Sequence, residues 1–282
     1  MISLFLSVAC SVLIAFILKI NEVRTGNRIV VLAGNYLVAT GISFVTWQVN
    51  PVKVAQLPNT IFAFAVFVGV GFVIAFFAYM KSVNKAGVGF ATLVARLSIV
   101  LPLVLSGVFY SESPDVSQWI GIALTFITIA VFARSMQSDK TKEWNRESIL
   151  YLFLLFTVLG LNDFAMKIFR EWLPGGDRGQ FLLVLFGTAT LFTWGIVAIR
   201  KMRVTWSDLL LGVILGIPNM FASFFLIDAL HQLPGIVVYP LANVAIIGFT
   251  VLGGIVIWRE RINRLGWISL GLATIAIVLL SM

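Results

Sequence analysis

Seven stretches of this chain, residues 29–52, 54–80, 116–133, 179–199, 209–227, 232–258 and 265–282, contain no charged side chain. Each approaches or exceeds the ~18–20 residues with which a helix crosses the hydrocarbon core of a bilayer. Lipid offers no partner to a backbone N–H or C=O, so only helices and closed barrels span it, and barrel strands alternate polar with apolar residues. These stretches do not alternate. They predict an all-α polytopic membrane protein with ten spans, near residues 2–20, 28–49, 58–80, 86–109, 116–134, 148–170, 179–199, 206–230, 234–258 and 264–281.

Composition removes several function classes. Sixty per cent of the residues are hydrophobic and 11 % are charged, where a soluble domain carries roughly a quarter charged residues. A net charge of +8 would suggest nucleic acid for a soluble chain. In a membrane protein the same excess decorates the loops of one face, and no nucleic-acid partner is expected. Cys10 is the single cysteine and His231 the single histidine. An intramolecular disulfide is therefore excluded, and no metal or other cofactor is expected. Neither paired carboxylates nor a phosphate-binding loop are present, which argues against an intramembrane enzyme and an ATP-driven pump. The first apolar stretch starts at Ile2 without a basic flank or a small-residue cleavage site, and reads as a retained span.

The sequence is written twice. Residues 86–112 and 234–260 lie over each other without a gap: Gly87 falls on Gly235, Glu112 on Glu260, and the following Trp119 on Trp267, each pair 148 residues apart. At the same offset Phe5 and Lys19 meet Phe153 and Lys167, and Phe76 and Phe77 meet Phe224 and Phe225. Apolar coincidences are cheap in membrane helices; Glu, Trp, Lys and Phe-Phe at one constant offset are not. The longest polar connection, RSMQSDKTKEWNRES, falls at the midpoint. The expected organisation is a five-helix repeat over 1–134, a linker over 135–147 and a second repeat over 148–282. Five is odd, so the second repeat enters the membrane from the opposite side and the repeat is inverted.

Two such repeats, each with a long Gly- and Pro-bearing helix, an acid and a closing Trp/Gly helix, resemble the drug/metabolite transporter superfamily, EamA type. The resemblance covers essentially the whole chain. Its best-matching parts are Pro102 and Glu112 before Trp119, Ile120 and Gly121, and residues 258–261 before Gly266 and Trp267. It departs at Thr250, which stands where the first half has Pro102, and in the charges deep within spans. What the resemblance implies is a secondary transporter of small organic solutes, working by alternating access in a bacterial cytoplasmic (inner) membrane. It also implies that both termini are cytoplasmic. The Lys and Arg residues, most of which fall on the side opposite the termini, place the termini outside by the positive-inside rule.

A charge near the bilayer centre costs at least ~2.5–3.5 kcal/mol on insertion scales, so it normally faces a cavity or a partner. Arg96 is such a charge. It is read either as a cation that binds a substrate carboxylate or phosphate, or as a structural partner of Asp163. Asp163, beside Asn162, is in turn either a proton-coupling carboxylate or neutralised by Lys167 at i+4. In the small multidrug transporters related to this superfamily, an essential acid occupies a similar place, and its first-half counterpart here is Ala15. Asn219 follows Pro218 and Asn243 follows Pro240; each proline frees a backbone carbonyl, and each amide can bond that carbonyl or a ligand. Tyr79 and Tyr239 are candidates to line the same cavity, Tyr36 less so. Pro102, Pro218 and Pro240 are expected bending points. Asp228, His231 and Lys81 read as helix-end residues that snorkel or cap, and Glu112 and Glu260 as caps or partners of Arg259 and Arg261. Gly212 and Gly216 form a GxxxG pair that serves internal packing or a homodimer. Arg96 favours an anionic or zwitterionic metabolite such as an amino acid. The alternatives are a cationic drug held by Asp163, and a channel or sensor.

Overall fold

The computed structural model describes residues 1–22, 26–49, 57–86, 88–135, 146–258 and 264–282. Among them are eleven helices and no strand: α1 (Ile2–Glu22), α2 (Arg28–Val49), α3 (Asn59–Ala86), α4 (Val88–Leu97), α5 (Val100–Tyr110), α6 (Val116–Ser135), α7 (Arg146–Trp172), α8 (Arg178–Ile199), α9 (Trp206–Gln232), α10 (Gly235–Trp258) and α11 (Arg264–Ser281). Eight candidate membrane spans result, with α4 and α5 contributing one between them over Ala91–Tyr110, and α1 and α6 supply shorter apolar helices. Phe67, Val108 and Leu191 are 72 %, 71 % and 76 % exposed. Side chains of that size and number face outward only where the solvent is itself apolar. The chain is an integral membrane protein. The expected linker over 135–147 lies almost entirely outside the described residues, as do Gly87, Arg259, Glu260 and Arg261.

Many hydroxyl side chains within the helices are satisfied locally. Thr40, Ser43, Thr125, Thr128, Thr188 and Thr193 each donate to the carbonyl four residues earlier, at 2.7–2.9 Å. This back-bonding removes the penalty of a hydroxyl in hydrocarbon without requiring a second helix. Helix ends are closed by capping side chains. Asn27 Oδ1 accepts from Ile29 N–H at 3.1 Å at the start of α2, and Asp177 Oδ1 accepts from Gly179 N–H at 2.7 Å at the start of α8. Thr205 Oγ1 accepts from Asp208 N–H at 3.2 Å at the start of α9, as the orphan donors of a first turn require.

The helices form two compact units, residues 1–73 with 168–231, and residues 74–167 with 232–282. Both units take elements from both sequence halves, because the boundaries fall inside α3 and α7. In the first unit α2 packs along α8 in antiparallel sense. Trp194 Nε1 donates to Ala33 O at 3.1 Å, and Thr40 meets Thr190 at 2.9 Å. A Cβ on Gly179 would sit 2.9 Å from Trp47 N. In the second unit α6 packs on α11, with Gly121 against Leu280. Each pairing joins helices that hold corresponding places in the two halves; Val116 and Arg264, which begin α6 and α11, are 148 residues apart.

Gly212 and Gly216 serve internal packing. A Cβ on Gly212 would sit 2.5 Å from Val31 O, and one on Gly216 would sit 2.5 Å from Asn35 O. The small-residue face of α9 is thus occupied by α2 rather than left open for a second copy. Asp228 also differs from expectation. It ties α9 to both α8 and α1, accepting from Arg178 and from the Ser3 hydroxyl, while the Arg178 guanidinium lies 4.5 Å from the Phe224 ring centroid. A carboxylate near a helix end finds cations of neighbouring helices as readily as water.

Replacing Gly216 by leucine is expected to lower the thermal stability of the purified protein by overpacking of about 1–3 kcal/mol. Gly195→Ala, at a site with nothing within 4 Å, is expected to leave it unchanged or slightly raised. Melting curves in one detergent compare the two.

Candidate functional site

The span predicted over 86–109 is interrupted by a tightened turn at Ser98 and Ile99. Pro102 has no N–H, so the carbonyl of Ser98 lacks its i+4 donor. Ser98 O instead accepts from Leu101 N–H at 3.0 Å, a tighter three-residue step. Ser98 and Ile99 form a turn between α4 and α5. At the offset of 148 residues the second half carries Thr250 in place of Pro102, and α10 runs unbroken through it. Prolines 218 and 240, also expected to bend their helices, lie inside continuous α9 and α10. Of the three, Pro102 alone interrupts its helix.

Glycine brings α7 onto the break. A Cβ at Gly160 would lie 2.6 Å from Ser98 O and 2.7 Å from the Leu101 Cβ, so only a glycine admits this approach. Ala78 of α3, Ala91 of α4 and Leu155 of α7 form a small core, with Tyr79, Val94, Ala95 and Leu159 packed around it. Three side chains singled out in the sequence lie on the helices that pack here: Tyr79 on α3, Arg96 in the last turn of α4, and Asp163 one turn beyond Gly160 on α7. Arg96 and Asp163 lie within electrostatic reach of each other. Among the described residues no hydrogen bond or ion pair joins Arg96 directly to Asp163. Both are half-buried. A guanidinium and a carboxylate in electrostatic reach, but not clamped together, can take the two ends of a polar ligand between them.

The neighbouring candidates divide by use. Tyr239 is 2 % exposed, and its hydroxyl donates to the backbone carbonyl of Asp163 at 3.0 Å, which fixes α10 against α7. Asn243 Nδ2 donates to Tyr239 O at 3.2 Å, not to the Ile236 carbonyl that Pro240 frees, and its side chain is half-buried. Asn162 is buried beside Asp163. Asn219 belongs to the other unit, where its backbone carbonyl accepts from the Ser223 hydroxyl at 3.4 Å. Tyr36, also in that unit, is buried and donates to Phe72 O at 3.3 Å.

Lys167 has a different partner from the one expected. It is 2 % exposed and pairs with Glu112, which follows α5, with its ammonium 5.4 Å from the Tyr110 ring centroid. The other Glu112 oxygen accepts from Ile236 N–H at 2.9 Å in the first turn of α10. Glu112 is therefore a cap, as expected, but of a helix more than a hundred residues away.

Ser98 and Gly160 are not among the residues that the sequence singles out, and the signals that could have found them are positional. Ser98 stands four residues before a proline, and Gly160 three before an intramembrane acid.

Residues 1–134 match the model of the EamA-like transporter family. That match makes the first half of the chain similar to the EamA-like family, which is part of the drug/metabolite transporter superfamily. Members of the EamA family are membrane transporters rather than enzymes. An uncharacterized protein of Haemophilus influenzae is 25 % identical over 283 residues, covering 95 % of this chain and 93 % of the relative. A crystal structure of a protein 15 % identical in sequence superposes with a TM-score of 0.79 over 99 % of this chain and 94 % of that one. The family match ends near the midpoint, but the likeness of fold continues through the second half.

Tyr239→Phe removes one interhelical hydrogen bond and is expected to lower stability by about 0.5–1.5 kcal/mol. Pro102→Ala restores an N–H four residues after Ser98 and is expected to slow amide exchange over residues 98–103, read by hydrogen–deuterium exchange of the purified transporter.

Proposed function

We propose that this protein is a secondary transporter that moves a small carboxylate-bearing solute, anionic or zwitterionic, by alternating access across a bacterial cytoplasmic membrane. The observation that carries the reading is Arg96, a cation at a break in a membrane span, opposite Asp163 and not clamped to it. Leaving such a charge within the bilayer costs at least ~2.5–3.5 kcal/mol, which a solute carboxylate and the opposed Asp163 would offset. Discontinuous helices with ligand groups at their ends are a recurring way for transporters to place a site near the midplane. Arg96 at the C-terminal end of α4 also meets a favourable helix dipole, worth about 0.3–1 kcal/mol when exposed.

In this reading Arg96 holds the carboxylate, Asp163 faces a cationic or polar end of the solute or carries a coupled proton, and Tyr79 and Asn243 line the site. Asn162 and Tyr239 position Asp163 from α7 and α10. Ten spans in two inverted five-helix repeats are the organisation that the constant offset supports. The antiparallel packing of the counterpart helices α2 and α8 supports it as well.

The test is a thermal-shift screen of purified protein against carboxylates, amino acids and organic cations. A carboxylate or amino acid should raise the melting temperature of the wild type, less that of Arg96→Lys, and not that of Arg96→Ala. Stabilisation by organic cations alone, lost in Asp163→Asn and kept in Arg96→Ala, would replace this reading with that of a cation exporter.

A further inference from the structure

Glu112 and Lys167 form a buried ion pair where α5, α7 and α10 meet. Ser111, with φ at 53°, turns the chain out of α5 and delivers Glu112 to the start of α10. One carboxylate then serves two helices: Oε1 pairs with Lys167 on α7, and Oε2 takes the Ile236 N–H. Glycine lets the helix start approach closely, since a Cβ on Gly235 would sit 2.8 Å from Ser106 Oγ and 3.4 Å from Glu112 Oε2. That same Cβ would sit 3.1 Å from the Tyr239 ring, one turn along α10. Tyr239 donates to Asp163 O, and Asp163 is one turn from Lys167 on α7. The ion pair and the Arg96–Asp163 set are therefore joined twice, through one turn of α7 and one turn of α10.

Stability alone does not call for this arrangement. Replacing a buried ion pair by apolar groups of similar volume is often neutral or stabilising, whereas removing one partner is strongly destabilising. Three helices could be joined more cheaply by packing. The two residue types also recur at the repeat offset, Lys19 with Lys167 and Glu260 with Glu112; the Lys19 side chain and Glu260 lie outside the described residues. A local prop would not need to be written into both halves.

We propose that Glu112 and Lys167 are a coupling pair of the transport cycle: intact, they hold α5, α7 and α10 together at the start of α10, and they separate in the step that exposes the Arg96–Asp163 set toward that end. The proposal rests on the transporter reading. Both are positioning residues, acting on the solute set through α7 and α10.

The test reads accessibility and uses no solute, so it stands or falls separately from the thermal-shift screen. In a Cys10→Ser background, single thiol probes are placed by Ile236→Cys, Asn243→Cys and, as a control on α11, Ala276→Cys. Ile236 and Ala276 are both buried, and Asn243 is one turn from Tyr239, which bonds Asp163 O. Rates of reaction with a water-soluble maleimide are compared in purified protein with the pair intact, with Lys167→Arg, and with Glu112→Gln and Lys167→Met together. The double substitution keeps an acceptor for Ile236 N–H and leaves no unpaired charge.

Labelling of a transiently opened site tracks the population of the open form, so the thiols at positions 236 and 243 should both react about tenfold faster or more in the double variant. With Lys167→Arg they should react as slowly as in the parent, and the control thiol at position 276 should be unchanged throughout. Acceleration at position 236 alone would mean a frayed cap with no link to the solute set, and overturns the proposal. Parallel acceleration at position 276 would mean general loosening, and overturns it equally. Unchanged rates at all three positions do the same.

Discussion

Every polar group within a bilayer must find its partner inside the protein, and the arrangement of this chain follows from that constraint. It explains why the described residues are almost wholly helical and why many of their threonines and serines turn back to their own helix. It explains too why helix starts are closed by Asn27, Asp177, Thr205 and Glu112. The exceptions are then informative. Pro102 breaks the pattern in α4 and α5, and an intramembrane Arg and Asp gather at the break.

The two halves of the sequence share a scaffold and differ at the site. Counterpart helices α2 and α8 pack on each other, as do α6 and α11, and these contacts are made by small and hydroxyl-bearing residues. At the fourth helix of each repeat the halves diverge: Pro102 stands opposite Thr250, and Arg96 opposite Val244. One is a broken helix with a cation, the other an unbroken helix whose Val244 is fully buried. The two positions that differ most, 96 and 102, are those on which the proposed solute site rests.

Much of this was legible beforehand because it depends on local chemistry. Long uncharged stretches specify spans, a constant offset specifies duplication, and a charge inside a span marks a place of interest. Arg96, Asp163 and Tyr79 lie on three separate helices of one unit. Lys167 pairs with Glu112 rather than with Asp163, and the reason is physical. Asp163 is four residues away on the same helix, a neighbour that helical geometry alone can specify. Glu112 is 55 residues away and becomes a neighbour only when α5, α7 and α10 pack. Tyr239, an aromatic that could have lined a cavity, is instead used to hold α7. Nothing in its sequence environment separates those two uses.

The sequence by itself determined the solvent in which this protein folds, the helices it can form and the residues whose burial demands an explanation. Those follow from hydropathy, charge and covalent facts such as the missing N–H of Pro102, which act over one or two turns. Only the tertiary structure decided which groups answer each other: Glu112 with Lys167 and the start of α10, Tyr239 with Asp163, and α2 rather than a second copy against Gly212 and Gly216. Partnership of that kind depends on distances between helices far apart in the chain, and packing sets those distances.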